Sequence, residues 1–434
     1  MTIDLEKTAK SRGIRYFLIS FTDLFGVARA KLVPAAAIGP MQRDGAGFAG
    51  FAAWLDLSPA HPDMLAVPDA NTLIQLPWRP EVGWLAADLR MNGEEIDASP
   101  RVMLKNQLRR ARAQKWRPMS GVECEFFLVN AAGDAVGDER DTQQKPCYDQ
   151  TALMRRYDII REICDAMLAL GWNPYQNDHE DANGQFEMNW GYADALTTAD
   201  RHVFFKFMVK SVAEKHGARA TFMPKPFVNL TGNGCHCHLS VWDEKGETNL
   251  FAGDDENGLS PAAYQFLGGV LHSAPALCGW FNPAVNSYKR LNAPNTLSGA
   301  TWAPSAVTYG GDNRTHMARI PAAGRLEFRL MDGAANPYLI QAGLLAAGLD
   351  GAANDRKPGA KLDINMYEEA HLAGDARRLP LNLLDALRAM EQSEVLRDAF
   401  GADTVAGYVK LKTGEWNEYC CHLTDWERVR TLDC

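Results

Sequence analysis

With 434 residues, 46% of them hydrophobic and 23% charged, the chain is too long for one ordinary core and unexceptional in composition, so two globular domains are expected. Its net charge of −9 argues against general nucleic-acid binding, which needs a basic surface to neutralise phosphate. No apolar run approaches the roughly 20 residues that cross a bilayer, Met1-Thr2-Ile3-Asp4-Leu5-Glu6-Lys7 is no signal peptide, and nine cysteines without framework spacing suit a reducing, cytoplasmic setting away from membranes.

Residues 14 to 33 alternate apolar and polar side chains around Thr22-Asp23-Leu24-Phe25-Gly26, the pattern of a β-hairpin. Residues 44 to 55 are rich in glycine, alanine and aromatics, too flexible for a strand and too apolar for a solvated linker, so a covering loop is expected. Pro59, Pro62, Pro68, Pro77 and Pro80 then punctuate short extended pieces. Ser99-Pro100 opens a helix over residues 101 to 115. The expected domains are therefore residues 1–98 and 99–434.

Ser120 to Val129 reads as one strand with Glu123 and Glu125 on the same face. Two buried carboxylates need arginines or a metal to neutralise them, whereas on an edge strand they would lie in water. Helical periodicity over residues 151 to 171 stops at Gly171. His179 to Trp190 reads as two short strands joined by Asn183-Gly184, with Glu180 and Glu187 near each other across the hairpin. A helix over 198 to 216 follows, then Gly232-Asn233-Gly234-Cys235-His236-Cys237-His238-Leu239-Ser240. On a strand this stretch places His236, His238 and Ser240 on one face and Cys235 and Cys237 on the other. Ligands that alternate to opposite faces do not converge, which argues against zinc held by this string; the histidines could equally be structural.

Beyond a helix at 261 to 279, arginines gather as Arg290, Arg314, Arg319, Arg325 and Arg329, with Glu327 between the last two on a shared strand face. From residue 337 the chain is mostly helical, with a Gly/Pro/Lys loop near 354 to 361. Five acids (Glu123, Glu125, Glu180, Glu187, Glu327), two histidines and five arginines are the parts of a Mg²⁺ or Mn²⁺ phosphate clamp, so phosphoryl transfer from a nucleotide is expected. Neither a Walker loop nor a dinucleotide fingerprint is present.

Seven motifs in order make the chain resemble the glutamine synthetase family from about residue 14 to 420. They are Glu123-Cys124-Glu125-Phe126-Phe127, Thr221-Phe222-Met223-Pro224-Lys225-Pro226, His236-Cys237-His238-Leu239-Ser240, Asn286-Ser287-Tyr288-Lys289-Arg290, Asn313-Arg314, Arg325-Leu326-Glu327-Phe328-Arg329 and Ala335-Asn336-Pro337-Tyr338. The resemblance implies an α+β fold with a small N-terminal β-grasp-like domain and a larger catalytic domain on an antiparallel sheet. It also implies homo-oligomeric stacked rings, a dodecamer being favoured, with active sites between subunits. Two or more Mg²⁺ or Mn²⁺ ions are implied, one on Glu125, Glu180 and Glu187 and one on Glu123, His236 and Glu327. His238 and Ser240 would lie along ATP, Arg290 and Arg329 would grip glutamate, and Arg314, Arg319 and Arg325 would neutralise phosphate. The implied reaction phosphorylates the glutamate γ-carboxylate with ATP and then displaces phosphate with an amine.

Two departures fall where family members hold ammonium, in the pocket that the resemblance forms from the N-terminal loop, the flap and Gly232. Trp302 of Thr301-Trp302-Ala303-Pro304 stands in place of the flap Glu, and Ala49 of Phe48-Ala49-Gly50-Phe51-Ala52 in place of the loop Asp, unless an insertion before Pro62-Asp63-Met64 makes Asp44-Gly45 the matching pair. Removing two carboxylates and adding apolar wall favours a small alkylamine, since a buried methyl gains roughly 0.8 kcal/mol and such pockets discriminate by about 1 to 3 kcal/mol. Methylamine is the expected amine and ammonia the alternative.

Overall fold

The computed structural model describes residues 3–294, 296, 298 and 301–434. Met1-Thr2 of the N-terminal reading, and Asn295, Leu297, Gly299 and Ala300 within the arginine-rich segment, lie outside the described residues.

The expected hairpin forms from Tyr16–Thr22 and Ala28–Pro34, antiparallel from Tyr16↔Pro34 to Thr22↔Ala28. Its turn is closed by Asp23, whose Oδ1 accepts from the N–H groups of Phe25 at 3.0 Å and Val27 at 2.9 Å. Tyr16–Ser20 also pairs, in parallel, with the ten-residue strand Val82–Met91, the centre of a seven-stranded sheet. Residues 44 to 55 are more regular than expected: Ala46–Phe48 pairs antiparallel with Met64–Pro68, and Gly50–Ala53 forms a 3₁₀ turn. Edge pairing satisfies backbone groups that a free loop would leave to solvent.

Strand Val82–Met91 alternates between two cores. Leu85, Ala87 and Leu89 join Phe17, Ile19 and Met64 in a small one, while Val82, Trp84 and Ala86 join the large core beyond. Arg101, on the helix Pro100–Ala113, fixes the two parts together. It is 3% exposed and donates to Asp69 at 3.0 Å, to Asp88 at 2.8 Å and to both oxygens of Asp200 at 3.0 Å. Asn336 adds a second tie, donating to the carbonyls of Asp23 at 3.0 Å and Leu24 at 3.3 Å.

The expected single strand 120–129 is two strands, Trp116–Cys124 and Phe126–Val129, that belong to different sheets. The break falls at Glu125, whose N–H donates to the Gly234 carbonyl at 3.1 Å instead of continuing the ladder. One sheet runs Ala193–Asp194, Trp116–Cys124, Cys235–Asp243, Arg325–Phe328, Ala318–Ala322, Tyr309–Gly310. The other runs Gln176–His179, Gln185–Asn189, Phe126–Val129, Arg219–Thr221. The expected helix 151–171 is also divided, into Gln150–Arg155 and Tyr157–Ala169, because Arg156 leaves helical geometry (φ −107°, ψ 13°) and its guanidinium donates to the Gly137 carbonyl. Helix Ala195–Lys215 starts three residues early, where the Asp194 side chain caps the Thr197 N–H at 3.1 Å. With Pro261–Phe281 and Pro337–Ala353 it backs the sheets with mostly buried apolar faces.

Replacing Arg101 strands Asp200 in the core beside Tyr338, whose hydroxyl also donates to it at 2.6 Å. Arg101→Met is expected to destabilise the fold by about 3–5 kcal/mol, the cost of breaking one side of a buried ion pair. The shift in the urea unfolding midpoint measures this; a change below about 1 kcal/mol would show that the cluster behaves as a surface pair.

Candidate active site

The strand Cys235–Asp243 carries the site because its alternation separates two environments. His236 is buried and faces the acidic cluster with His238 and Ser240, while Cys235, Cys237, Leu239 and Val241 face the core. In the antiparallel register His236 lies opposite Glu123 and His238 opposite Glu327. His238 Nε2 donates to Glu123 Oε1 at 2.8 Å, and His236 Nδ1 lies 3.2 Å from Glu123 Oε2. The other nitrogen of His236 points to Glu125 Oε1, 3.9 Å away, and is buried with no hydrogen-bond partner among the described residues.

The glycines ahead of this strand are a steric requirement. A Cβ on Gly234 would sit 2.8 Å from His236 Nε2 and 3.1 Å from both Glu125 Oε1 and Arg290 Nη2, and one on Gly232 would meet the Pro224 carbonyl at 2.4 Å. Glu125 is held by the Gly234 N–H at 2.7 Å and by Gln185 Nε2 at 2.9 Å, and Gln185 also donates to the Gly232 carbonyl at 3.2 Å. Across the hairpin, Asp178 stands directly opposite Glu187, while Glu180 lies beyond the register, its N–H bonded to the Gln185 carbonyl at 2.9 Å. Like charges placed opposite one another are unfavourable unless something neutralises them.

Three sets of donors converge, each within 4.8 Å of one another: Glu123, His236 and Glu327; Glu125, Glu187 and His236; and Asp178, Glu180 and Glu187. Hard oxygen donors with an imidazole whose lone pair is unengaged fit Mg²⁺ or Mn²⁺. The titration behaviour agrees. Burial, with the Gly234 N–H and arginines only partly offsetting it, pushes the Glu125 carboxyl up to about 7. Burial and then neighbouring carboxylates push Glu180 and Glu187 well above the usual range. Glu327 behaves oppositely: against the cost of burial, Arg329 and then His236 pull its carboxyl down to about 2. Burial and the charge of Arg329 lower the His236 imidazole to about 4, which leaves it neutral and able to ligate.

Two cavities adjoin at Glu123. One, of about 380 Å³, is lined by Glu123, Glu125, Glu180, Glu187, His236, Trp302, Arg314, Arg319 and Arg329, together with Cys147, Tyr148, Asp178 and Asp181. Behind its arginines, the fully buried Glu327 accepts from Arg319 Nη1 at 2.6 Å and from Arg329 Nη1. The other, of about 650 Å³, is lined by His238, Ser240 and Arg325 with Tyr175, Trp190, Tyr192 and Trp242, an aromatic surround suited to a flat base. Arg325 and Glu327 leave one strand, yet the first reaches only the aromatic cavity and the second only the arginine side.

Four expected residues line neither cavity: Ala49, Gly232, Arg290 and Glu327. Ala49 is exposed. Arg290 is 2% exposed, and its guanidinium donates to the carbonyls of Leu330 at 3.1 Å and Arg329 at 3.4 Å. Conversely, Asp178 went unread, although Gln176-Asp178-Glu180 has the period of two that puts it beside Glu180. Burial and then the Glu123 charge raise its carboxyl to about 6, and its Oδ1 is buried without a partner among the described residues. Trp302 takes a left-handed backbone (φ 54°) at the cavity wall, and its ring N–H is likewise buried without a partner among the described residues. Asp181 differs, accepting from the hydroxyls of Thr231 and Ser298.

Residues 97–431 match the family model described as glutamine synthetase, catalytic domain. A glutamine synthetase of Rhizobium leguminosarum bv. phaseoli is 62% identical over 434 residues, covering all of both chains. A glutamate–methylamine ligase of Methyloversatilis universalis is 42% identical over 434 residues, covering 98% of this chain and 97% of its own. A solved structure named a GmaS/ADP complex is 64% identical, superposes with a TM-score of 0.97 and covers 100% of both chains. The chain belongs to the glutamine synthetase family.

Proposed function

We propose that the chain is an ATP-dependent ligase that joins glutamate to methylamine, giving γ-glutamylmethylamide, ADP and phosphate. The observation that carries this reading is Trp302 on the wall of the carboxylate cavity, where an indole offers a methyl group an apolar surface and a carboxylate does not. The similarity to a protein named glutamate–methylamine ligase and to structures named GmaS supports it. On this reading the protein is cytoplasmic and works as homo-oligomeric stacked rings, residues 1–98 and 99–434 being its two domains. The exposed Ala49 loop then serves the site of a neighbouring subunit.

In the proposed chemistry a γ-carboxylate oxygen of glutamate attacks the γ-phosphorus of ATP, and the bond from phosphorus to the ADP oxygen breaks. The amine nitrogen then attacks the acyl carbon, the carbon–oxygen bond to phosphate breaks, and the amine loses a proton. Arg314, Arg319 and Arg329 face the transferred group and offset its charge. Arg290, tied to the Arg329 carbonyl, holds that arginine's backbone in place. Asp178, ionised at neutral pH and uncommitted at Oδ1, faces the alkylammonium and accepts its proton. Glu123, His236 and Glu327 would hold one Mg²⁺ or Mn²⁺ and Glu125, Glu180 and Glu187 another. Such ions screen the phosphate oxygens from one another when bound.

A second reading, glutamine synthesis from ammonia, is favoured by the names of relatives at 62% and 60% identity. ADP release with glutamate plus methylamine against glutamate plus ammonia separates the two. A higher kcat/KM with methylamine is expected, and parity or a preference for ammonia overturns the first reading. Trp302→Glu is expected to move the preference toward ammonia by about 1 to 3 kcal/mol, whereas an unchanged ratio would remove Trp302 from the amine pocket.

Glu327→Ala leaves Arg319 and Arg329 without their shared carboxylate. Turnover is expected to fall by about a hundredfold or more, the scale of losing one preorganised charged group. Steady-state kinetics at saturating Mg²⁺ measure it, and near-normal kcat would refute the role.

Glu125, Glu180 and Glu187 have folded-state pKa values above the ordinary 4.5. The folded chain therefore binds more protons than the unfolded one above that value, and stability falls as pH rises. His236, lowered to about 4 from 6.5, acts with the opposite sign and is largely neutral in both states only above about pH 7.5. Without divalent cations the melting temperature is expected to drop between pH 6.5 and 8.5, and Mg²⁺ is expected to raise it more at the higher pH. An equal Mg²⁺ effect at both would show that these carboxylates do not hold the cation.

A further inference from the structure

The core face of Cys235–Asp243 carries a second cluster that the proposed reaction does not use. Cys235 stands directly opposite Cys124 in the antiparallel register. From the helix Ala195–Lys215, His202 reaches the same point, its Nε2 lying 3.8 Å from Cys235 Sγ. One donor atom from each of the three residues lies within 4.8 Å of the others, and exposure is 0% for both cysteines and 1% for the histidine. Each donor comes from a different element.

We propose that Cys124, His202 and Cys235 bind a thiophilic d¹⁰ cation, Zn²⁺ or Cu⁺, which clips the helix to the two central strands from behind. Zinc–sulfur and zinc–nitrogen bonds of about 2.3 and 2.05 Å imply a sulfur–nitrogen separation of about 3.6 Å in tetrahedral and about 3.8 Å in trigonal geometry. The separation present between His202 Nε2 and Cys235 Sγ is 3.8 Å. Charge fits as well: two thiolates neutralise a divalent ion, which a dry core tolerates, and soft sulfur selects such ions over the hard ones suited to the carboxylate face. The front of the same strands holds Glu123 and His236, so the ion would brace the catalytic ligands without touching substrate.

The test uses the full chain with the exposed Cys420, Cys421 and Cys434 replaced by serine, so that these thiols contribute nothing. After removal of metals and addition of excess Mg²⁺, Co²⁺ is titrated as a zinc probe and Cu⁺ anaerobically. About one ion per chain is expected, with a thiolate-to-cobalt charge-transfer band in the Co²⁺ arm. That band is expected to be lost in Cys235→Ser and kept in His236→Ala, which alters only the carboxylate face. If the serine variant does not fold, the parent spectrum still decides: no sulfur-to-cobalt band and no tightly held Cu⁺ overturns the proposal. A band that survives Cys235→Ser overturns it equally. Binding in one arm alone supports the site and identifies which ion it prefers.

Discussion

Everything at the front of the central sheet answers to one constraint, that carboxylates crowded in a buried space must have their charge met. Glu327 meets it with Arg319 and Arg329 and is held strongly acidic. Glu125, Glu180 and Glu187 lack such partners in sufficient number, and their carboxyls rise. The site is thus divided into a half compensated by arginines and a half left without matching cationic side chains among the described residues. In a fold whose net stability is only about 5–15 kcal/mol, the cost of that second half must be offset by packing elsewhere.

Period-two alternation made the strand Cys235–Asp243 legible from sequence, since face is a property of spacing alone. At Glu123 and Glu125 its outcome holds but its single strand does not. These residues reach one cavity because the chain changes sheets between them, and a single strand would have achieved the same by simple alternation. Arg325 shows the converse: a shared strand face does not guarantee a shared cavity, because Glu123 and His238 stand between the two spaces. Asp178 was readable and was passed over. Its strand is short and polar, without the apolar alternation that marks a strand in sequence.

Other features were beyond the sequence for physical reasons. The meeting of Cys124, His202 and Cys235 joins residues 33 to 111 positions apart, and no local pattern encodes such a contact. The break at Arg156 and the early start at Ala195 depend on a carbonyl at Gly137 and a cap at Asp194, local choices that helical periodicity does not record. Ala49 is exposed and lies outside both cavities, a placement that its local sequence does not record.

Glu123 is a wall common to both cavities. One oxygen takes the His238 hydrogen bond and the other lies against His236. Charge arriving on the aromatic side therefore alters the potential felt on the arginine side through a single carboxylate. The two spaces cannot fill independently: by thermodynamic linkage, whatever tightens or loosens binding in one must do so reciprocally in the other.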